Sequence, residues 1–199
     1  TNNFNGSISY ELPFGEGRRF PVHRVLNQIA GGWRITSIVQ ARSGVPYTPV
    51  VGGNANGGDP ALSGSPNCFC SYWLLPNRTG SGRVSDPTIN HWADVTAFTD
   101  PTNAGATPAF GDSGRNILRG PGFLNFDLSF GKSFRIREGM NLEFRADSYN
   151  AFNHPHFGLP DNNILATYDV NGSTQSHFGV ISSVVGGGRI FQLGGRFTF

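Results

Sequence analysis

The feature that most limits what this chain can become is a period-two alternation of apolar and polar residues that recurs five times. Successive side chains of an extended strand point to opposite faces, so such a pattern marks a sheet with unlike surfaces. From Phe4 to Phe14 the apolar row is Phe4, Ile8, Tyr10, Leu12 and Phe14, set against Asn5, Ser7, Ser9 and Glu11. The second run, 33–49, carries Trp33, Ile35, Val39, Ala41, Val45 and Tyr47 opposite Arg34, Thr36, Gln40 and Arg42. The third, 123–136, is the most regular. Leu124, Phe126, Leu128, Phe130, Phe134 and Ile136 share one face, Lys132 alone interrupts it, and Asn125, Asp127, Ser129 and Arg135 share the other. In the fourth, 140–153, Leu142, Phe144 and Ala146 oppose Asn141, Glu143, Arg145 and Asp147. The fifth, 189–199, places Phe191, Leu193, Phe197 and Phe199 against Gln192, Arg196 and Thr198.

Connections between the runs are unequal. Arg137–Glu138–Gly139 is a tight turn, and 15–31 is a moderate loop with room for one helical turn near Val25–Ile29. In contrast, 51–121 and 158–176 read as long irregular loops rich in Gly, Asn, Pro and Asp, and 178–185 has the length of a short extra strand. Loops of that length count against a compact soluble domain, but outer-membrane barrels pair short periplasmic turns with long external loops. Composition agrees. Only 14% of the 199 residues are charged, yet mean hydropathy is −0.26, because Asn, Ser, Thr and Gly supply the polarity. No run of ~18 apolar residues exists for a membrane helix. A net charge of +2 is too small and scattered for a nucleic-acid footprint, so no nucleic-acid partner is expected.

These observations predict an all-β, antiparallel up-and-down meander forming part of a transmembrane outer-membrane β-barrel. Its apolar row would touch outer-membrane lipid. Its polar row, with Arg34, Arg42, Asp127, Glu143, Arg145, Asp147 and Arg196, would face a wet lumen. Aromatics would form interfacial girdles: Phe14, Trp33, Phe134, Phe197 and Phe199 at the periplasmic rim, and Phe4, Tyr47, Phe123, Phe152 and Phe191 at the external one. Five strands cannot close a barrel, and the chain opens in mid-pattern. It is therefore expected to be the C-terminal segment of one barrel domain over 1–199, with the remaining strands upstream.

Several quoted stretches carry a resemblance. GDSGRNILRGPG at 111–122 leads into LNFDLSFGKSFRI, then NLEFRADSYNAFNHPHFG, and the chain closes on GGRIFQLGGRFTF. ELPFG, GGW, RSGVPYTP and HWADVTAF belong to the same pattern. Together they resemble the C-terminal barrel of TonB-dependent receptors of the Oar-like type, whose members often carry a carboxypeptidase-regulatory-like domain. The resemblance implies a bacterial outer-membrane location and uptake of a ligand that the sequence does not identify. It also implies coupling to TonB through an N-terminal plug region, and reading of the terminal aromatics, Phe199 and Phe197, by the barrel-insertion machinery.

Chemical motifs are better read as structure. Gly111–Asp112–Ser113–Gly114 has the look of a serine-protease nucleophile segment, but no His stands in the required context. His154 and His156 lack the further ligands a zinc site needs, and only Asp161 is near in sequence. Glu143 and Asp147 stand about 13 Å apart along one strand, too far for a glycosidase pair, with Arg145 between them. Cys68 and Cys70 either close a small CxC ring or stay as thiols. No catalytic residue, metal site or cofactor is expected. The competing reading is a soluble β-sandwich binding module, with Trp33, Trp73 and Trp92 as sugar platforms.

Overall fold

The computed structural model describes residues 1–15, 18–21, 29–51, 75–101, 111–171 and 173–199. In chain order its strands are β1 Asn3–Glu11, β2 Trp33–Arg42, β3 Pro46–Tyr47, β4 Asn77–Arg78, β5 Arg83–Thr88, β6 His91–Ala93, β7 Phe98–Thr99, β8 Leu118–Arg119, β9 Phe123–Arg137, β10 Met140–Tyr149, β11 Thr167–Val170, β12 Ser173–Ser176 and β13 Ile190–Thr198. Helix is confined, among the described residues, to Ile29–Ala30, a 3-10 turn at Val95–Ala97 and Pro101. The chain forms two compact units. One comprises Asn2–Ser43, Phe123–His156 and Gly186–Phe199, the other Gly44–Gly122 and Phe157–Val185 together with Thr1.

The first unit is a five-stranded antiparallel sheet in the order β1-β2-β9-β10-β13, so the five long strands follow one another as an up-and-down meander. Its register brings the five polar rows together. Glu11 pairs with Arg34, Arg34 with Gly131, Gly131 with Arg145, and Arg145 with Gly194. One step along, Ser9, Thr36, Ser129, Asp147 and Gln192 form the next row. A slip of one residue at any pair would mix the faces, so the alternation in each strand fixes its neighbour's register. The apolar face stays uncovered at both edges and at the centre: Ile8 is 69% exposed, Leu193 73% and Phe130 39%.

Strand ends have local causes. β1 stops at Glu11 because Pro13 has no N–H to give to the ladder. At the β9–β10 turn Met140 pairs with Arg137 while Asn141 pairs with Arg135, leaving Ile136 as a bulge. Gly139 takes φ 78° in that turn, a conformation suited to glycine. β10 ends where Asn150 adopts φ 48° and its side chain holds the backbone of His154.

The expected second strand, 33–49, is not continuous. β2 ends at Arg42, and Pro46–Tyr47 pairs with Leu118–Arg119 in the other unit. Gly44 marks the break. Its backbone runs so close to Gly120 that a Cβ there would collide with the Gly120 carbonyl.

The second unit corrects the expectation of irregular loops. It is built of short paired strands, β3 with β8, β4 with β7, β5 with β6 and β11 with β12. Around them lies a buried core of Tyr47, Val51, Ala93, Ala97, Phe98, Leu118, Ile164 and Phe178. The segment 178–185 is not a regular strand. It contributes Phe178 and Ile181 to the interior and meets Phe157 in a single bridge at Val184. Most of the helical turn expected at Val25–Ile29, with Cys68, Cys70 and Trp73, lies outside the described residues.

Candidate functional site

The polar face of the sheet holds the charges singled out in the sequence. Arg34, Arg42, Asp127, Glu143, Arg145, Asp147 and Arg196 all fall on it by register, Glu143 directly opposite Arg196. Most of these charges lie in a concavity of about 440 Å³, whose walls include Glu11, Arg34, Asp127, Glu143, Arg145 and Asp147. Glu11 accepts from Arg34 at 2.9 Å and also from Arg18, a pairing that no alternation pattern disclosed because Arg18 lies beyond the strand. Arg145 donates to Asp147 at 2.8 Å. Ion pairs this exposed contribute little stability. Their effect is to hold guanidinium groups at defined heights along a wet surface.

Arg34 and Arg145 flank Gly131 in one row, and Gly194 extends that row. Nothing stands within 4 Å of a Cβ built on Gly194. Long cationic side chains thus alternate with positions that carry none, which leaves the concavity open between them.

Ile38 and Lys132 are among the residues that depart from the two-face rule. Ile38 lies on the polar face, 44% exposed. Lys132 lies on the apolar face yet is only 3% exposed. Its ammonium donates to the Gly31 carbonyl at 2.8 Å and to that of Ile29, and packs over the Trp33 and Phe134 rings at 4.9 and 4.8 Å. The interruption in the apolar row is therefore a cation satisfied by the end of the β1–β2 connection. Only the fold brings those carbonyls to it.

At the opposite end of the polar face Arg42 and Phe123 pair across β2 and β9. The His156 ring stacks on Phe123 at 4.1 Å, and Arg42 Cζ lies 5.3 Å from the same ring. Phe123 therefore faces the polar side and is not a girdle residue, contrary to the sequence expectation. Tyr47, expected in the same girdle, is buried in the second unit, and burial pushes its phenol well above the ordinary value. Phe4, Phe152 and Phe191 are exposed as expected, as are Phe14, Phe197 and Phe199 at the other rim.

The remaining motifs have the following surroundings. Ser113 is 2% exposed and its hydroxyl has no partner among the described residues, while Asp112 accepts from the Arg78 backbone N–H at 2.7 Å. The Gly111 backbone is packed on Leu75 and Pro76. His154 and His156 lie with ring centres 5.8 Å apart, but His156 donates to the Leu124 carbonyl at 3.0 Å, and Asp161 pairs instead with His177 at 2.8 Å. No group of three or more metal-ligating side chains occurs among the described residues. Trp33 and Trp92 donate their indole N–H to the carbonyls of Ile29 and Arg119 at 2.8 Å. A β-sandwich would lay a second sheet over the apolar face, yet large side chains of that face are exposed on β1, β9, β10 and β13.

No curated protein and no solved structure matches the chain. The family model described as "Outer membrane beta barrel domain" matches residues 1–192. That match, a meander with one apolar and one polar face, and the exposure of its apolar row agree: the chain belongs to the outer membrane beta barrel domain family, and its place is the bacterial outer membrane.

Proposed function

We propose that this chain is the C-terminal wall segment of a TonB-dependent outer-membrane transporter or receptor, and that it carries no catalytic step. The observation that carries the reading is the register. It gathers the charges of five strands on one face and leaves the other to large apolar side chains. In a lipid bilayer the first face is the lumen and the second meets acyl chains. The connections β2–β9 and β10–β13, which make up the folded second unit, all leave the sheet from one end. In barrels of this class long connections are external, so that unit is the ligand-collecting one. The TonB part rests on the sequence resemblance. Phe199, 93% exposed, and Phe197 are the groups offered to the insertion machinery.

Site-specific photo-cross-linking of the full-length protein in cells tests the reading. A cross-link to TonB that disappears when the upstream plug region is deleted is the expected result. An ion-conducting open pore in planar bilayers, with no cross-link to TonB, would make the protein a passive channel.

A further inference from the structure

The three arginines along β2 and β10 of the polar face are held in two different ways. Arg34 and Arg145 are pinned by carboxylates, Glu11 and Asp147. Arg42 has no carboxylate partner among the described residues and lies over the Phe123 ring instead. Its guanidinium lies over one side of Phe123, and the 7%-exposed His156 stacks on Phe123 with an interplanar angle of 33°. His156 is itself locked by its bond to the Leu124 carbonyl, and the loop that carries it is locked by Asn150, which accepts from the His154 N–H at 2.9 Å and donates to the His154 carbonyl at 3.0 Å. The carboxylate two residues up β9 from Asn125 is occupied: Asp127 accepts from the Asn125 amide and from the Asn150 backbone N–H, both at 2.9 Å. Arg42 is thus an exposed cation with no carboxylate partner among the described residues, its guanidinium seated over a ring that is itself packed against His156. A guanidinium with its fork preset loses little freedom when it takes a planar bidentate anion.

We propose that Arg42 is a docking point for the carboxylate or phosphate group of a small acidic solute at the external end of the lumen. The proposal rests on the transporter reading above, which makes the polar face a lumen and the end of β2 its outer mouth. It adds a ligand class, an acidic solute, and a point of first capture. Asn3, which pairs with Arg42 on the far side, sets an amide beside the same position. Arg34 and Arg145, further down the face, would meet the solute only after it exchanged with their own carboxylates.

The test is titration calorimetry of the full-length protein in detergent micelles with malonate and inorganic phosphate, and maltose as the neutral probe. Folding of each variant is checked by heat-modifiable gel migration. Wild type is expected to bind one or both anions in preference to maltose, more weakly as salt rises. Arg42→Gln is expected to weaken anion binding about 10- to 100-fold. Arg42→Lys keeps the charge but not the fork, and is expected to lose about tenfold. Phe123→Leu, which frees the guanidinium while keeping it charged, is expected between those and wild type. Arg135→Gln, at the other end of the same face, is expected to leave binding within twofold. Anion binding by Arg42→Gln equal to wild type, or no preference for anions over maltose in wild type, overturns the proposal. Arg42-dependent binding in a protein that never cross-links to TonB supports the docking point and overturns the transport reading alone.

Discussion

The two units place their apolar residues in opposite ways. In the sheet unit Phe4, Ile8, Phe191 and Leu193 are all more than 60% exposed, whereas in the second unit Phe98, Leu118 and Phe178 are 5% or less exposed. One sequence therefore carries two solvents' rules. The sheet is written for hydrocarbon outside and water in the middle. The second unit is written for water outside, and buries a small core of its own. The chain's low charge suits the first and its abundant Asn, Gly and Pro the second, because tight turns and close backbone approaches build that unit.

The sharpest way to break this comparison is to truncate a side chain that only the second unit buries. Phe98 is 5% exposed, packs edge-on to Phe178 at 5.6 Å, and sits against Gly82, where any Cβ would clash with its ring. Phe98→Ala is expected to cost about 3–5 kcal/mol within that unit. Hydrogen exchange should show protection lost around Ala93, Leu118 and Phe178 while the sheet amides are unchanged. Protection lost equally in the sheet would mean the two units do not follow separate rules.

Next in size is a charge on the apolar face. Phe144 lies mid-strand in β10, so Phe144→Arg is expected to destabilise the protein in phospholipid vesicles by about 2–4 kcal/mol, read from urea unfolding. Its polar-face neighbour gives the contrast: Glu143→Arg is expected to cost far less. Equal costs for the two would remove the lipid-facing assignment. A smaller effect is expected at Gly179, where φ is 77° and a Cβ would stand 2.8 Å from the backbone N and O of Ala93. Gly179→Ala is expected to cost about 1–2 kcal/mol, visible as faster exchange at Trp92, whose N–H donates to the Gly179 carbonyl.

The contrast also explains what the sequence discloses. The five strands are legible because a face that meets lipid tolerates almost no charge, so period two survives along the strand. Lys132 is the exception, and its partners lie about 100 residues away in the chain. The second unit has no period to read. Its core is assembled from single residues such as Tyr47, Ala97, Leu118 and Ile164, spread over more than 100 positions, and its strands are two to six residues long. The polar-face charges were legible as a row, but their pairing was not. Arg18 reaches Glu11 from outside the strand, and Arg42 turns to Phe123 because the register, not the pattern, sets them side by side. Phe123 and Tyr47 misled for one reason: an aromatic near a strand end suggests a girdle whichever way it points.

The smallest expected effect separates the units by pH. Asp94 caps the 3-10 turn Val95–Ala97, accepting from the Thr96 backbone N–H at 2.9 Å and from the Thr96 hydroxyl at 2.7 Å. Those bonds to the ionised form, the hydroxyl's foremost, hold its carboxyl below the ordinary value. A group whose pKa is depressed by folding adds stability while it is ionised in both states, and that contribution fades as pH falls through its folded-state value. The cap is partly exposed, so it is worth only about 0.5–1 kcal/mol. Exchange at the Thr96 amide, corrected for the intrinsic pH dependence, should lose protection below about pH 4, and Asp94→Asn should abolish that dependence while keeping most of the cap. The same acidification should leave the Ile35, Val39 and Leu128 amides protected, because their ladder bonds involve no titrating group. A sheet that loosened in step with Thr96 would show that its stability is tied to the second unit after all.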